Sequence, residues 1–266
     1  MLLSFILAVC FYLGGLLLSL ISLRGKKEGL SRLALWFLGA GFLCHTISLA
    51  SLTIETRRLP VYTSREAFSF FSWLVTLSFF ISYFRYRVKL LAVFVLPLVS
   101  VFMLIAGSLE RQPLPPGWRG YWVLMHMVLV LIAYAAFFLT FIASILYLLQ
   151  EHSLKTKRMK SFPGKLPSLQ ALDRLLVGSL LTGIVTMTLG ILTGAIWAER
   201  VWGRYWGWDP KEIAALVTWL IYLFLIHCRL AAGWRGKRAA IVNVIGFISV
   251  LFTFLGANYF KGMHAF

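Results

Sequence analysis

Charge is what this sequence has least of. Asp, Glu, Lys and Arg make up 13% of its 266 residues, against about a quarter in a soluble domain. Acidic residues are the scarcer sign, nine against 26 Lys and Arg. The charges sit in short islands between apolar runs of 17 or more residues. That pattern excludes a soluble globular domain and describes a helical protein that crosses a bilayer many times. Alternating polar and apolar segments are lacking, which excludes a transmembrane barrel. Cysteine is limited to Cys10, Cys44 and Cys228, each in an apolar run. Without a CxxC pair, neither a dithiol redox site nor a thiolate metal cluster is expected. A Ser-His-Asp arrangement, an HExxH, a phosphate loop and acidic residues deep within spans are all missing as well. These absences remove the common hydrolases, NTPases and proton-coupled transporters.

What is present is a basic surplus and long apolar runs. The net charge of +17 does not point to nucleic acid. Lys and Arg here flank the spans, where anionic lipid headgroups neutralise them. The expected surface partner is membrane lipid, with no nucleic acid. The first span, Met1–Leu23, is followed by Arg24, Lys26 and Lys27 and preceded by no basic residue. A cleavable signal has the reverse order, so this span is expected to be retained.

Eight spans can be counted, at about 1–23, 33–53, 66–84, 88–108, 121–149, 175–197, 212–232 and 239–260. The expected fold is an all-α polytopic membrane protein of about eight transmembrane helices, with residues 1–266 forming a single transmembrane domain. The fifth span is long for a bilayer and should tilt or project. Odd-numbered connections hold 17 basic residues, even-numbered ones and the C-terminus nine. The positive-inside rule then places the odd connections in the cytoplasm and both termini outside. The longest connection, about 150–174, is basic and contains Pro163, Gly164 and Pro167. It is expected to be a loop or a short surface helix.

Aromatic residues concentrate in one place. Residues 197–219, WAERVWGRYWGWDPKEIAALVTW, hold five of the ten tryptophans: Trp197, Trp202, Trp206, Trp208 and Trp219. Asp209-Pro210-Lys211-Glu212 reads as a helix start, with Asp as N-cap, Pro at N1 and Glu at N3 of a capping box. The preceding tryptophans then lie outside, at about 197–212. Indoles favour the membrane boundary in any membrane protein. Their density here, interleaved with Gly203 and Gly207, equally suits a planar aromatic ligand such as a porphyrin or quinone.

Five histidines complete the candidates: His45, His126, His152, His227 and His264. His126 lies roughly 8 Å below the outer boundary at 1.5 Å rise per residue. His264 follows the last span on the same side. Two neutral imidazoles over an aromatic platform suit bis-His haem ligation. A packed helix residue and a tail residue would satisfy the same positions. His227 and His45 lie deeper, where ionisable groups are costly. They are candidates for a second, inner site or for interhelical hydrogen bonds. His152 lies in the basic connection.

Several segments resemble one family. Residues 197–229, ending in His227 and Arg229, resemble the tryptophan-rich WWD signature of haem-handling proteins of the CcsA/ResC type, from System II cytochrome c biogenesis. LMHMVLVLIAYAA (124–136) resembles the family's outer histidine segment, with His126 in the histidine position and Tyr134 following. GANYFKGMHAF (256–266) resembles its closing segment and supplies His264. RRLPVYTSREAFSFFSW (57–73) resembles its second loop, with Pro60, Glu66 and Trp73 in place. Ile213-Ala214, Thr63-Ser64 and Ala265 depart from the usual residues.

The resemblance implies a protein that carries haem b to the outer face and holds it between His126 and His264. There the haem would meet the CXXCH motif of an apocytochrome c and form two thioethers. The chain would then be part of a holocytochrome c synthase, or haem lyase, complex. The intramembrane His227 would be an earlier stop for haem. Trp197, Trp202, Trp206 and Trp208 would pack on the porphyrin, and Arg200 and Arg204 would pair its propionates. Asp209 would be a cap alone or would also order the loop against the haem edge; His45 and Glu66 are further candidates. Implied partners are a CcsB/ResB-like membrane protein, the apocytochrome and a thioredoxin-like thiol reductant. The implied location is a bacterial cytoplasmic membrane, or a thylakoid membrane if the chain is plastid-encoded. The alternative is a HemX-like regulator of haem synthesis, or a binder of another planar ligand, without synthetase activity.

Overall fold

The computed structural model describes residues 2–25, 28–114, 118, 120–156 and 166–256. Among these residues lie eight α-helices: α1 (Leu2–Gly25), α2 (Glu28–Thr56), α3 (Ser64–Tyr86), α4 (Ala92–Ser108), α5 (Tyr121–Lys155), α6 (Leu169–Trp202), α7 (Pro210–Ala231) and α8 (Lys237–Leu251). A 3-10 turn, Lys89–Leu91, leads into α4, and a π-helical turn, Phe252–Gly256, extends α8. Seven helices are long and apolar enough to cross a membrane, and α4 is a shorter apolar helix of 17 residues. No strand occurs among the described residues. This is the polytopic all-α class expected from the apolar runs. A bilayer core offers the backbone no hydrogen-bond partners, so each spanning segment must satisfy its own.

Several helices run longer than the apolar runs, α2, α5 and α6 above all, whereas α4 is shorter because a 3-10 turn takes Lys89–Leu91. α6 starts at Leu169 and continues through Trp202, so Trp197 and Trp202 occupy its last turns rather than a loop. Nothing in Ala198–Val201 breaks a helix, and the first residue suited to left-handed backbone is Gly203. It ends α6 at φ +70°, with its N–H on the Glu199 carbonyl at 2.8 Å. The long connection shrinks likewise, because α5 runs to Lys155.

The chain divides into two compact units: Met1–Leu114 with Thr156–Pro167, and Pro115–Lys155 with Ser168–Phe266. In the first, α1, α2 and α3 are joined through a buried histidine. His45 Nδ1 lies 3.3 Å from the Tyr12 hydroxyl and Nε2 lies 3.0 Å from that of Ser69. Trp73 donates its indole N–H to Thr46 at 2.9 Å and stacks on Phe42. Between lipid-embedded helices, such hydrogen bonds and close packing replace the hydrophobic effect. The turn before α3 is held by Glu66. Its carboxylate accepts two bonds from Arg58, at 2.7 and 2.8 Å, and accepts from the Tyr62 and Thr63 amides. With Thr63 as N-cap this is a complete capping box.

In the second unit α5 and α6 run antiparallel. Phe137 meets Gly183, Thr140 donates to Ser179 at 2.8 Å, and His126 meets Gly190 at the other end. Tyr222 of α7 lies face to face with Phe137, ring centroids 3.7 Å apart. α8 meets α5 through Phe247 on Phe141 and meets α7 through Ser249 and Thr253, both bonded to Thr218. Two polar clasps tie α7 to α6. Trp219 donates to Thr188 at 2.9 Å, and Arg229 Nη2 donates to both Asp173 oxygens at 2.8 and 2.7 Å.

Candidate functional site

His126 is the sixth residue of α5. Its Nδ1 lies 2.8 Å from the Gly190 carbonyl oxygen of α6. A carbonyl only accepts, so Nδ1 carries the proton and Nε2 of the neutral ring holds a lone pair. Nε2 has no hydrogen-bond partner among the described residues. The position therefore offers a fixed, neutral metal-ligating nitrogen.

Aromatic rings wall this imidazole. Trp197, two turns beyond Gly190 on α6, lies nearly parallel to it, 16° between planes and 6.4 Å between centroids. Trp197 is 4% exposed. It is wedged by Trp118 and Trp202, both edge-on, with centroids 5.1 and 4.9 Å away. Arg200 places its guanidinium 5.5 Å over the Trp122 ring, a cation–π contact. The Lys211 charge lies within electrostatic reach of the His126 ring.

The remaining tryptophans sit on the short connection 203–209. Trp206 and Trp208 meet edge-on at 5.9 Å, and Trp208 is 71% exposed. Trp208 adopts φ +56°, a region that non-glycine residues seldom occupy. Bonds on either side hold it there: Glu212 accepts from the Gly207 amide at 2.8 Å and the Asp209 amide at 3.2 Å. Asp209 is the α7 N-cap, accepting from the Lys211 amide at 2.8 Å, with Pro210 at the first helical position. This is the helix start read from Asp209 to Glu212. Arg204 is exposed beside it.

The structure thus brings His126, Trp197, Trp202 and Arg200 together and leaves other candidates elsewhere. His227, the eighteenth residue of α7, is exposed on the stripe of Ile213, Val217, Leu220 and Phe224. His45 belongs to the first unit, fully buried, with both ring nitrogens engaged by Tyr12 and Ser69. Glu66 is committed to Arg58 and the α3 cap. His152 is exposed near the end of α5. His264 lies outside the described residues. Sequence reasoning missed Trp118, Trp122 and Lys211. Trp122 had a signal, four residues before His126 and so one turn away on the same helix face.

Fold and site define a multi-pass helical membrane protein with an aromatic-walled imidazole near one end of its second unit. The sequence profile of the cytochrome c assembly protein family matches residues 37–264. The chain belongs to that family. It is 30% identical over 244 residues to the cytochrome c biogenesis protein CcsA of Guillardia theta, covering 83% of this chain and 81% of that protein. It is 30% identical over 291 residues to CcsA of Prochlorococcus marinus, covering 99% and 92%. CcsA of Welwitschia mirabilis is likewise 30% identical, covering 99% and 94%. Among solved structures, the cytochrome c haem lyase CcmF superposes with a TM-score of 0.66 at 17% identity. That match covers 95% of this chain and 45% of CcmF. At that identity the likeness speaks for the fold alone.

Proposed function

We propose that this chain carries haem b across its membrane and presents it, on the extracytoplasmic face, to an apocytochrome c. The observation that carries the reading is the His126 ring. Its proton is fixed on Nδ1, its Nε2 is bare, and it stands against Trp197, which Trp118 and Trp202 wedge in turn. Among the described residues no cluster of three His, Cys, Asp or Glu is placed to hold a metal. A lone imidazole against an indole ring suits an iron whose four equatorial ligands come from a porphyrin. His264 is the second axial ligand in this reading. The exposed Arg204, with Lys211 nearby, would offer cations to the propionates. Arg200 would have to leave Trp122 to join them.

At the outer face the haem vinyls meet the two cysteine thiols of the CXXCH motif. Each S–H adds across one vinyl C=C, sulfur to one carbon and hydrogen to the other, and nothing leaves. The chain supplies position. His126 and His264 hold the iron until the CXXCH histidine replaces one of them, and the tryptophans fix the ring plane. His227, exposed within a span, is costly against lipid. It is the natural contact for a CcsB/ResB-like membrane partner and the earlier stop for haem. A thioredoxin-like reductant would keep the cysteines as thiols, since this chain has no CxxC. In a bacterium the membrane is the cytoplasmic one, in a plastid the thylakoid.

The test is spectroscopic. Protein purified from haem-replete cells should be red. Its Soret band should fall by about tenfold in His126→Ala or His264→Ala, within the loss typical of a ligand-site change. A colourless preparation in which both variants still mature cytochrome c would end the proposal.

A further inference from the structure

Two glycines of α6 set its approach to α5 around His126: Gly194 faces the ring itself, and Gly190 faces Val130. A Cβ on Gly194 would lie 2.5 Å from His126 Nδ1 and 2.7 Å from Cε1. On one side Trp197 lies nearly parallel to the ring, itself wedged by Trp118 and Trp202. Gly190, one turn earlier, allows the other half of the arrangement. A Cβ there would lie 2.8 Å from Val130 Cγ2 and 3.4 Å from the Val130 backbone nitrogen. Only a bare α-carbon lets α5 come close enough for the Gly190 carbonyl to reach Nδ1 at 2.8 Å. Thr193 crowds the same oxygen, donating to it at 3.0 Å and to the Leu189 carbonyl at 2.8 Å.

We infer that Gly194 and the Gly190 carbonyl form a backbone socket that sets the proton, height and plane of the His126 ring, so that Nε2 alone is offered to haem iron. Gly194 is thus a positioning residue; the iron part of this inference rests on the haem reading above. A metal-bound histidine owes its tautomer and orientation to the bond its other nitrogen makes. Here that bond goes to a backbone carbonyl, so it depends on how closely α5 and α6 approach at Gly190. The vulnerable atom is the missing Cβ of Gly194. An alanine there pushes on Nδ1 and Cε1, and the ring leaves the carbonyl.

A glycine that merely lets helices pack would behave differently, and the same interface supplies that control. A Cβ on Gly183 would lie 2.4 Å from Phe137 Cε1. Gly183→Ala therefore disturbs α5–α6 packing without touching His126.

The experiment uses the full-length chain in lipid nanodiscs, with 15N-labelled histidine and without haem. The His126 signal is assigned by difference from His126→Ala. The native chain should show Nδ1 protonated and Nε2 bare. Gly194→Ala should lose that single tautomer, and Gly183→Ala should keep it. When haem is added, Gly194→Ala should retain about tenfold less than the native chain, with Gly183→Ala unchanged per folded molecule. A native spectrum with the proton on Nε2 overturns the inference even if Gly194→Ala never accumulates. So does a Gly194→Ala spectrum identical to the native one. The expected tautomers in a chain that binds no haem leave the socket standing and overturn the haem reading instead.

Discussion

The imidazole of His126 has two nitrogens, and the Gly190 carbonyl takes one of them. His45 shows the contrasting case, because Tyr12 and Ser69 occupy both of its nitrogens. A neutral ring so bonded joins three helices and has no lone pair to spare. His45→Leu should take one hydrogen-bond partner from each of the Tyr12 and Ser69 hydroxyls and lower stability by about 1–2 kcal/mol. The Soret band of the purified protein should not change, and comparing spectra with thermal unfolding checks both halves. Glu66 repeats the lesson with a carboxylate. Its bidentate pair with Arg58 and its cap on α3 make it a fastener of the 57–63 turn. Glu66→Gln should cost about 2 kcal/mol, a discounted value for a partly exposed pair, seen as earlier unfolding with retained haem binding. The signal was present in the sequence, since Thr63-Ser64-Arg65-Glu66 is a capping box as plain as the one at Asp209.

Among the elements, α6 and the turn after it carry most of the site. α6 presents Gly190, Gly194, Trp197 and Arg200 along its last four turns and then stops at Gly203. The turn holds Trp208 in left-handed backbone through the two amide bonds to Glu212. Glu212→Ala should free Gly207 and Asp209, costing about 1 kcal/mol as a lost cap. The readout is faster proteolysis between Gly203 and Asp209, with α6 and α7 otherwise intact. That α7 begins at Pro210 was legible, because capping is a local interaction among four residues. That α6 reaches Trp202 was not. Apolar runs measure hydrocarbon thickness, and helices continue past it until a residue such as Gly203 ends them.

For the whole molecule, the distribution of Lys and Arg sets orientation. Reporter fusions after Arg204 should be active outside the cytoplasm, and fusions after Thr156 should be active within it. The reverse pattern would put the tryptophan turn on the wrong face for presenting haem to an extracytoplasmic apocytochrome. The second unit also has a distant clasp, Arg229 on Asp173, between the end of α7 and the start of α6. Asp173→Asn should strand a largely buried guanidinium and lower stability by about 3 kcal/mol. Conservation of the Soret position in that variant would show that the clasp holds the helices and leaves the haem site alone.

Composition, apolar run length and charge islands determined by themselves that this chain is a bundle of membrane-crossing helices, because lipid leaves the backbone no other way to satisfy its hydrogen bonds. They also located the aromatic segment, since tryptophan density is a property of sequence. The tertiary structure alone decided which residues share a site. The closeness of His126 to Gly190 spans 64 positions, and no local pattern encodes such a separation. It depends on glycines of α6 lying opposite the bulky residues of α5, a fit between two surfaces that exists only once the helices pack.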